Sequence, residues 1–389
     1  MIKICHITIT HEVFDTRIFK KECVSLQKSG YKVVLIAPHD KEEVIDGVHI
    51  LPVFRWKSFK ERILTAPKSA VKLAKNVDAD LYHFHDPELF PAMVSFAKKS
   101  GKKVIWDAHE NYKDTIWRLN SLKIKPISWL AARWFGWMEL NAVKKTFAGV
   151  VTITEVMAEK YRKKNVKTCV LANFADVSKF EYKGIIDITD KPRLISSGSH
   201  FRGRAVEEVA HSFSIIRDKI DAEIIFSGRF TSAELEEEVK NILSKVEAKG
   251  VNWKVEGKVT FDYLINEAIP KAWVGLVLFD ISDPNNRNGL PNRFFECWAN
   301  GLPVIVTRDT QVAKLVKEVK GGIVINDNTP EEIANAFITI AKDKSYRNKM
   351  SNNAYEAVVN KYNWQRNFQD LKEYYKDILN ESIKKFNND

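Results

Sequence analysis

The sequence contains no apolar run of the roughly 18 residues that a membrane-spanning helix needs, although it is 389 residues long. That speaks against an integral helical membrane protein. Cysteine is scarce, with only Cys5, Cys23, Cys169 and Cys297, in no C-x-x-C pair and no zinc spacing. Such cysteines read as buried reduced thiols of a cytoplasmic protein. The opening MIKICHITIT reads as a strand and shows no secretory signal pattern. No G-x-G-x-x-G follows that strand, which runs straight into ITHEVFDTR, and no Walker A sequence occurs. A standard NAD fold and a P-loop nucleotidase are therefore disfavoured. No nucleic-acid module signature is present. Asp78-Ala-Asp80 is formally a D-x-D, but it precedes the apolar run LYHF, where such residues usually form a turn. No metal ligand and no cofactor are expected.

Hydrophobic residues make up 45% and charged residues 29%, a globular balance. The length exceeds one core and predicts two domains. The net charge of +11 is uneven. Residues 1–175 hold 30 Lys/Arg against 18 Asp/Glu, and residues 176–389 hold 31 against 32. A basic first half points to a polyanionic partner, whether nucleic acid, anionic lipid or a phosphorylated substrate.

Short apolar strands alternate with amphipathic helices in both halves. IKICHIT, YKVVLIA, LYHFHD, KKVIWDA and GVVTIT come first, then RLISSG, AEIIFSG, VNWKVEG, AWVGLVLFD, LPVIVT and GGIVIN. This βα alternation predicts an α/β protein of two doubly wound Rossmann-like domains facing a cleft. The expected divisions are 1–178 for the first domain, a linker over 179–192, a second domain over 193–364, and a last helix over 365–389 that packs back at the junction. Thr231-Ser-Ala-Glu234 reads as a capping box, Thr329-Pro330 as a helix start, and Gly301 as a helix stop.

In such sheets ligands sit beyond the carboxyl ends of the strands. The segment NNRNGLPNRFFECWANGLPV (285–304) places a loop and a helix start after the strand VGLVLFD. Pro291 at the first helical position leaves free N–H groups facing the loop, a ready phosphate site. Arg293 and Glu296, three apart, share a helix face, where Glu296 can meet a ribose diol or simply pair with Arg293. The segment LISSGSHFRGRAVEEV (194–209) repeats the pattern, and Arg202 at its helix start can bind a diphosphate. Two such loops in one domain favour a nucleoside diphosphate.

These motifs resemble the GT-B-fold glycosyltransferases of family 4, which are retaining and nucleotide-sugar dependent, over nearly the whole length. GLPNRFFECWANGLPVIVT resembles the segment holding the second glutamate of the family's E-x7-E motif, which falls on Glu296, while the first falls on Asn288. The family's phosphate-binding lysine falls on Arg202, and its paired arginine on Ser199, next to Gly198; Arg204 or Arg293 stand ready to compensate. EIIFSGR and VEGKV resemble the walls of the base pocket and imply Gly228, Arg229, Lys258 and Val259 near the base. Together with Gly289, Leu290, Pro291 and Asn292 these form the implied donor site.

In the first half, THEVFDTRIFKKE, YHFHDPEL and WDAHENY resemble the subset that builds surface polysaccharides and lipid-linked glycans. The resemblance sets His109 against the donor sugar, so that His109, Arg202 and Glu296 carry the chemistry. His11, Asp15, Arg17, His85 and Asp86 are acceptor-side candidates, although Asp15 and Asp86 also read as helix caps. RWKSFKER (55–62) mixes aromatic and basic residues. So does 117–145, with Trp117, Trp129, Trp134 and Trp137 beside Arg118, Lys123, Lys125, Arg133, Lys144 and Lys145. These suit an anionic headgroup surface, unless the tryptophans pack inward.

The expected partners are a nucleotide sugar, UDP before GDP, a lipid-linked or polysaccharide acceptor and the inner face of the cytoplasmic membrane, with no nucleic acid. The rival readings are a nucleotide-sugar 2-epimerase of the same fold and an inactive nucleotide-sugar-binding protein.

Overall fold

A computed structural model describes residues 1–118, 125–182, 191–247 and 252–386. It divides into two compact units, residues 1–172 with 366–389, and residues 173–365. The division thus falls six residues before the expected end of the first domain. Asn173 already belongs to the second unit, where its Nδ2 donates to the Leu290 carbonyl at 3.1 Å. Residues 183–190, in the middle of the expected linker, lie outside the described residues.

The first unit holds eight strands: β1 Lys3–Ile7, β2 Lys32–Pro38, β3 Glu43–Ile45, β4 Val48–Val53, β5 Leu81–Phe84, β6 Lys103–Ala108, β7 Gly149–Thr152 and β8 Thr168–Val170. Their order is β3-β4-β2-β1-β5-β6-β7-β8, parallel except for the short edge strand β3. Strands β3, β4 and β8 were not anticipated. They are short, and VHILPV carries a proline that weakens the strand signal. The second unit holds β9 Arg193–Ser197, β10 Glu223–Ser227, β11 Asn252–Gly257, β12 Val274–Val277, β13 Val304–Thr307 and β14 Gly322–Ile325. Their order is β11-β10-β9-β12-β13-β14, all parallel.

Parallel strands with covered faces should be apolar almost throughout, and β2, β6, β12 and β13 are buried nearly end to end. Chain order reverses between β1 and β5 in the first sheet and between β9 and β12 in the second. At such a switch point the helices leave on opposite faces and open a crevice at the carboxyl ends of the strands.

From Arg366 onward the last helix, Trp364–Phe386, counts with the first unit. Tyr375 is buried there, Asn367 donates to the Ala172 carbonyl at 2.8 Å, and Tyr374 donates to the Val150 carbonyl at 3.2 Å. Helix ends follow the expected chemistry with small shifts. Thr329 caps Pro330–Lys342 through the Glu332 N–H at 3.3 Å, and Gly301 closes Asn292–Ala299 at φ +64°. The cap lies one residue later than expected, and with Leu235 at its third position it is a simple N-cap instead of a capping box. Ser232 accepts the Leu235 N–H at 3.1 Å, while Thr231 instead donates to the His200 carbonyl.

Candidate functional site

In the second unit the two loops flanking the switch point are stitched together. The Asp280 N–H donates to the Gly203 carbonyl at 2.8 Å, joining the loop after β12 to the loop after β9. Gly198 and Gly228 let the ends of β9 and β10 touch. A Cβ on Gly228, whose φ is +142°, would lie 1.9 Å from the Gly198 carbonyl oxygen, so no other residue fits.

Arg204 leaves the first of these loops half-buried, and its Nη1 donates to the Ser199 carbonyl at 2.6 Å. Arg293 rises from the first turn of Asn292–Ala299, is buried, and donates from Nη2 to the Leu278 carbonyl at 3.0 Å. The Nε of each arginine has no hydrogen-bond partner. Burial pushes the Arg204 guanidinium down to about 10. Burial and the Arg204 charge together push Arg293 well below its ordinary value. His200 lies close by, fully buried between Phe226 and Phe230, with neither ring nitrogen hydrogen-bonded. Burial, then the charges of Arg293 and Arg204, hold its pKa down to about 3. Two neighbouring buried cations, each with an unused Nε donor, make a concentrated positive field. That arrangement costs stability unless an anion arrives to accept the hydrogen bonds.

Several residues stand differently from the sequence-based expectation. Arg202, expected on the diphosphate, is 62% exposed and pairs with Glu207 and, at 2.8 Å, with Glu238. It opens the short turn Arg202–Arg204, two residues before Arg204. Pro291 precedes the helix instead of opening it, and Asn292 is the first helical residue. The loop before it contains a helical turn, Pro284–Asn288, capped by Asp283. Glu296 is buried on the same helix, and Asn288, Gly289 and Leu290 are half-buried. Ser199, Arg229 and Lys258 are exposed, and Val259 packs on the core of this unit.

In the first unit the switch point gathers imidazoles and carboxylates. His6 on β1 pairs in register with His83 on β5, and His83 and His85 alternate onto one face with Asp107 of β6. Asp107 is fully buried and takes two hydrogen bonds from Arg17, at 3.1 and 3.2 Å. Its Oδ2 also lies 3.1 Å from His109 Nε2 and 3.3 Å from His85 Nδ1. Burial alone would raise the Asp107 pKa, but Arg17 and His109 hold it well below the carboxylate range. His109 is thus anchored through Nε2, and its side chain stays 15% exposed.

Two acceptor-side candidates are corrected. Arg17 is not open to an acceptor phosphate, because it is buried against Asp107, Glu22 and the Leu171 carbonyl. His85 is fully buried and reaches a ligand only through His109. Asp15 does cap Thr16–Cys23, accepting from the Arg17 and Ile18 N–H groups at 2.8 and 2.9 Å. Asp86 does not cap the turn Pro87–Leu89 with its side chain. Its carboxylate instead ties down the loop after β1, accepting from the Ile9 and Thr10 N–H groups and both threonine hydroxyls, with His11 Nδ1 at 2.9 Å. Burial opposes its ionisation, but His11, Thr10 and the Ile9 N–H hold its pKa well below the usual range. His11 keeps 30% exposure and stands edge-on to His109 at 5.3 Å. Asp78 and Asp80 are turn residues, held by Lys102 and the Lys3 N–H.

Sequence reasoning missed Asp107, Glu22, His6, His200 and Tyr375. The alternation in HFHD and DAH carried the signal for Asp107, since every second residue of adjacent strands shares a face. Glu22 and Tyr375 reach this face only through helices folded over the sheet.

Residues 20–179 match the model of Glycosyltransferase Family 4, and residues 178–357 match that of Glycosyl transferases group 1. No curated protein matches the sequence. Sucrose-phosphate synthase from Thermosynechococcus elongatus superposes with a TM-score of 0.74 at 14% identity, covering 97% of this chain and 99% of that one. The Anabaena protein HepE, solved with UDP and glucose, gives 0.72 at 10% identity, covering 97% and 100%. WaaG, a glycosyltransferase of lipopolysaccharide biosynthesis, gives 0.68 at 12% identity, covering 92% and 95%. At these identities the likeness is one of fold.

Proposed function

The chain belongs to the GT-B glycosyltransferases of the family 4 type, and from that premise we propose that it moves a sugar from a nucleoside diphosphate sugar to a lipid-linked saccharide or cell-surface polysaccharide precursor. The carrying observation is the pair Arg204 and Arg293, neighbouring cations with unused donors at the switch point of the second sheet. A diphosphate supplies the missing charge and accepts from both guanidinium groups. The positive end of the Asn292–Ala299 helix dipole adds to this field. In this reading Glu296 meets the ribose, and Gly228, Arg229, Lys258 and Val259 lie near the base. UDP is favoured over GDP, a reading supported by the UDP complex of HepE.

As the glycosidic bond breaks, negative charge grows on the leaving diphosphate, and fixed guanidinium groups stabilise it without reorganisation and without a metal. His109, held through Nε2 by Asp107, presents its other edge to the sugar. Asp86 and Asp107, the carboxylates held by His11 and His109, are both enclosed and multiply hydrogen-bonded, which argues against either as a nucleophile. We therefore favour attack by the acceptor hydroxyl on the face the diphosphate leaves, which retains the anomeric configuration. The oxygen of the departing diphosphate takes the hydroxyl proton.

The acceptor class rests on a surface. Among the described residues no helix is long and apolar enough to cross a membrane. The helix Lys125–Lys145 nevertheless exposes Trp129, Leu130, Trp134 and Trp137, at 42, 59, 57 and 66%. Leu130, Trp134 and Trp137 share one face by their spacing, and Arg133 stacks on Trp129 at 4.7 Å. Phe59 of the other basic aromatic segment is also exposed, as is Leu64 just beyond it, while Trp56 turns inward and donates to the Ile9 carbonyl. The side chains of Trp117, Arg118, Lys123 and Lys125 lie outside the described residues. Indole rings beside cations in a basic unit suit an anionic bilayer surface.

A thermal-shift panel with UDP, GDP, ADP and NAD tests the donor reading. A ligand at about 100 times its Kd adds roughly 2.7 kcal/mol, which at about 2–4 °C per kcal/mol is several degrees. UDP should raise the Tm and ADP and NAD should not. A GDP-only shift would change the donor, and no shift with either would remove the donor site.

A further inference from the structure

Beneath His109 lies a second group of side chains that the transfer chemistry does not use. His6, Glu22, His83 and His85 are all fully buried, and one ligating atom from each lies within 4.8 Å of the others. The separations are specific. His6 Nδ1 is 3.0 Å from His85 Nε2 and 3.7 Å from Glu22 Oε2, and Glu22 Oε2 is 3.8 Å from His83 Nδ1. Glu22 Oε2 has no hydrogen-bond partner. Its other oxygen faces Arg17 Nε at 3.1 Å.

Spacing decides what such a quartet can hold. A tetrahedral ion with bonds of about 2.0–2.1 Å sets its ligand atoms roughly 3.3–3.4 Å apart. A water at hydrogen-bond distance, about 2.8 Å, would set them roughly 4.6 Å apart. The observed 3.0, 3.7 and 3.8 Å straddle the first value, and all four ligand atoms lie within 4.8 Å of one another, so a modest contraction closes the set on an ion. We propose that His6, His83, His85 and Glu22 bind a structural divalent ion of the zinc class.

The surroundings agree with this assignment. Histidine ligands usually give their second nitrogen to a carboxylate. Here Asp107 Oδ2 lies 3.3 Å from His85 Nδ1 and 3.5 Å from His83 Nε2. Three imidazoles and one carboxylate, all from the protein, complete a closed four-coordinate set. The ion would pin Thr16–Cys23 to β1 and β5 and fix Asp107, which in turn holds His109. The group Asp107, His85 and His109 is the outer layer of this site, since Arg17 already occupies Asp107. Two bonds must change on binding: the hydrogen bond between His6 Nδ1 and His85 Nε2 gives way to the ion, and Tyr375 Oη, 2.5 Å from His83 Nδ1, has to release that nitrogen.

The test uses the full chain without a histidine tag. Chelator-treated protein is dialysed against zinc and its metal content measured by mass spectrometry, with cobalt absorption as an independent reading. About one zinc per chain, and a tetrahedral cobalt spectrum, are expected. Glu22→Gln and His6→Gln should lose both. Replacing the surface residues His39 and His49 with alanine should lose neither. Tyr375→Phe frees His83 Nδ1 and should retain or tighten zinc binding, which keeps the test decisive if the ligand variants do not fold. Background zinc in the wild type, or zinc lost with the surface histidines, would overturn the site. UDP binding reads the other unit, so the two proposals fail separately.

Discussion

Arg293 shows how one residue can oppose stability and serve binding. Its guanidinium is buried beside a like charge, with Nε unsatisfied. An uncompensated buried charge destabilises, whereas a charged hydrogen bond to a ligand contributes roughly 1.5–3 kcal/mol. Arg293→Met keeps the volume and removes the charge. It should leave the Tm of the ligand-free protein unchanged or higher, and weaken UDP by about 10- to 100-fold in calorimetry. A destabilised variant with full affinity would refute the anion site. Arg202→Ala should change affinity less, because Arg202 is committed to Glu207 and Glu238.

His200 gives the molecule an acid sensitivity that carboxylates do not explain. Folded, its pKa is held down to about 3, against 6.5 when free. Below pH 6.5 the unfolded chain therefore binds a proton that the native chain refuses, and stability falls as pH drops toward 3. At pH 5 one such group removes about 2 kcal/mol. His200→Leu should be no less stable at pH 7, since both ring nitrogens lack partners. Its Tm should fall less between pH 7 and pH 5 than that of the wild type. Equal slopes would show that His200 does not control the acid response.

At the scale of elements, helices were the most legible features. Pro330–Lys342 and Trp364–Phe386 start within a residue of where the sequence puts them, because caps and periodicity are local signals. Ala66–Val77, Glu155–Arg162 and Gln311–Val319 were passed over. They are short or lysine-rich, and their burial is imposed by the sheet they cover. For the tryptophan-rich helix the sequence left two orientations open. Packing settled it: Ala132, Phe135, Ala142 and Val143 face the core, leaving Trp134 and Trp137 outside. Replacing Trp134 and Trp137 with alanine should sharply reduce flotation with anionic liposomes and leave the Tm close to that of the wild type. Unchanged flotation would remove this face from membrane binding.

Over the whole molecule, charge follows the units. The segment 366–389 adds five residues of each sign to the first unit, so that unit keeps its net charge of +12. The same flotation should weaken as salt rises, because exposed charges are screened within about a Debye length.

The sequence by itself determined the two α/β units, their parallel sheets, the helix caps and the loops that follow β9 and β12. Those features rest on local pattern: apolar runs, capping residues, and glycines where backbones must touch. It did not determine which arginines face inward or which histidines meet. Arg202 and Arg204 are two residues apart, and only the turn between them decides that one pairs at the surface and the other points inward. His6, Glu22, His83, His85, Asp107 and Tyr375 are drawn from three strands and two helices spanning 370 positions. Only the folding of the first and last helices over one sheet face brings them within reach. Local propensity writes the elements, but long-range packing chooses which polar groups are enclosed together, and that choice makes the site.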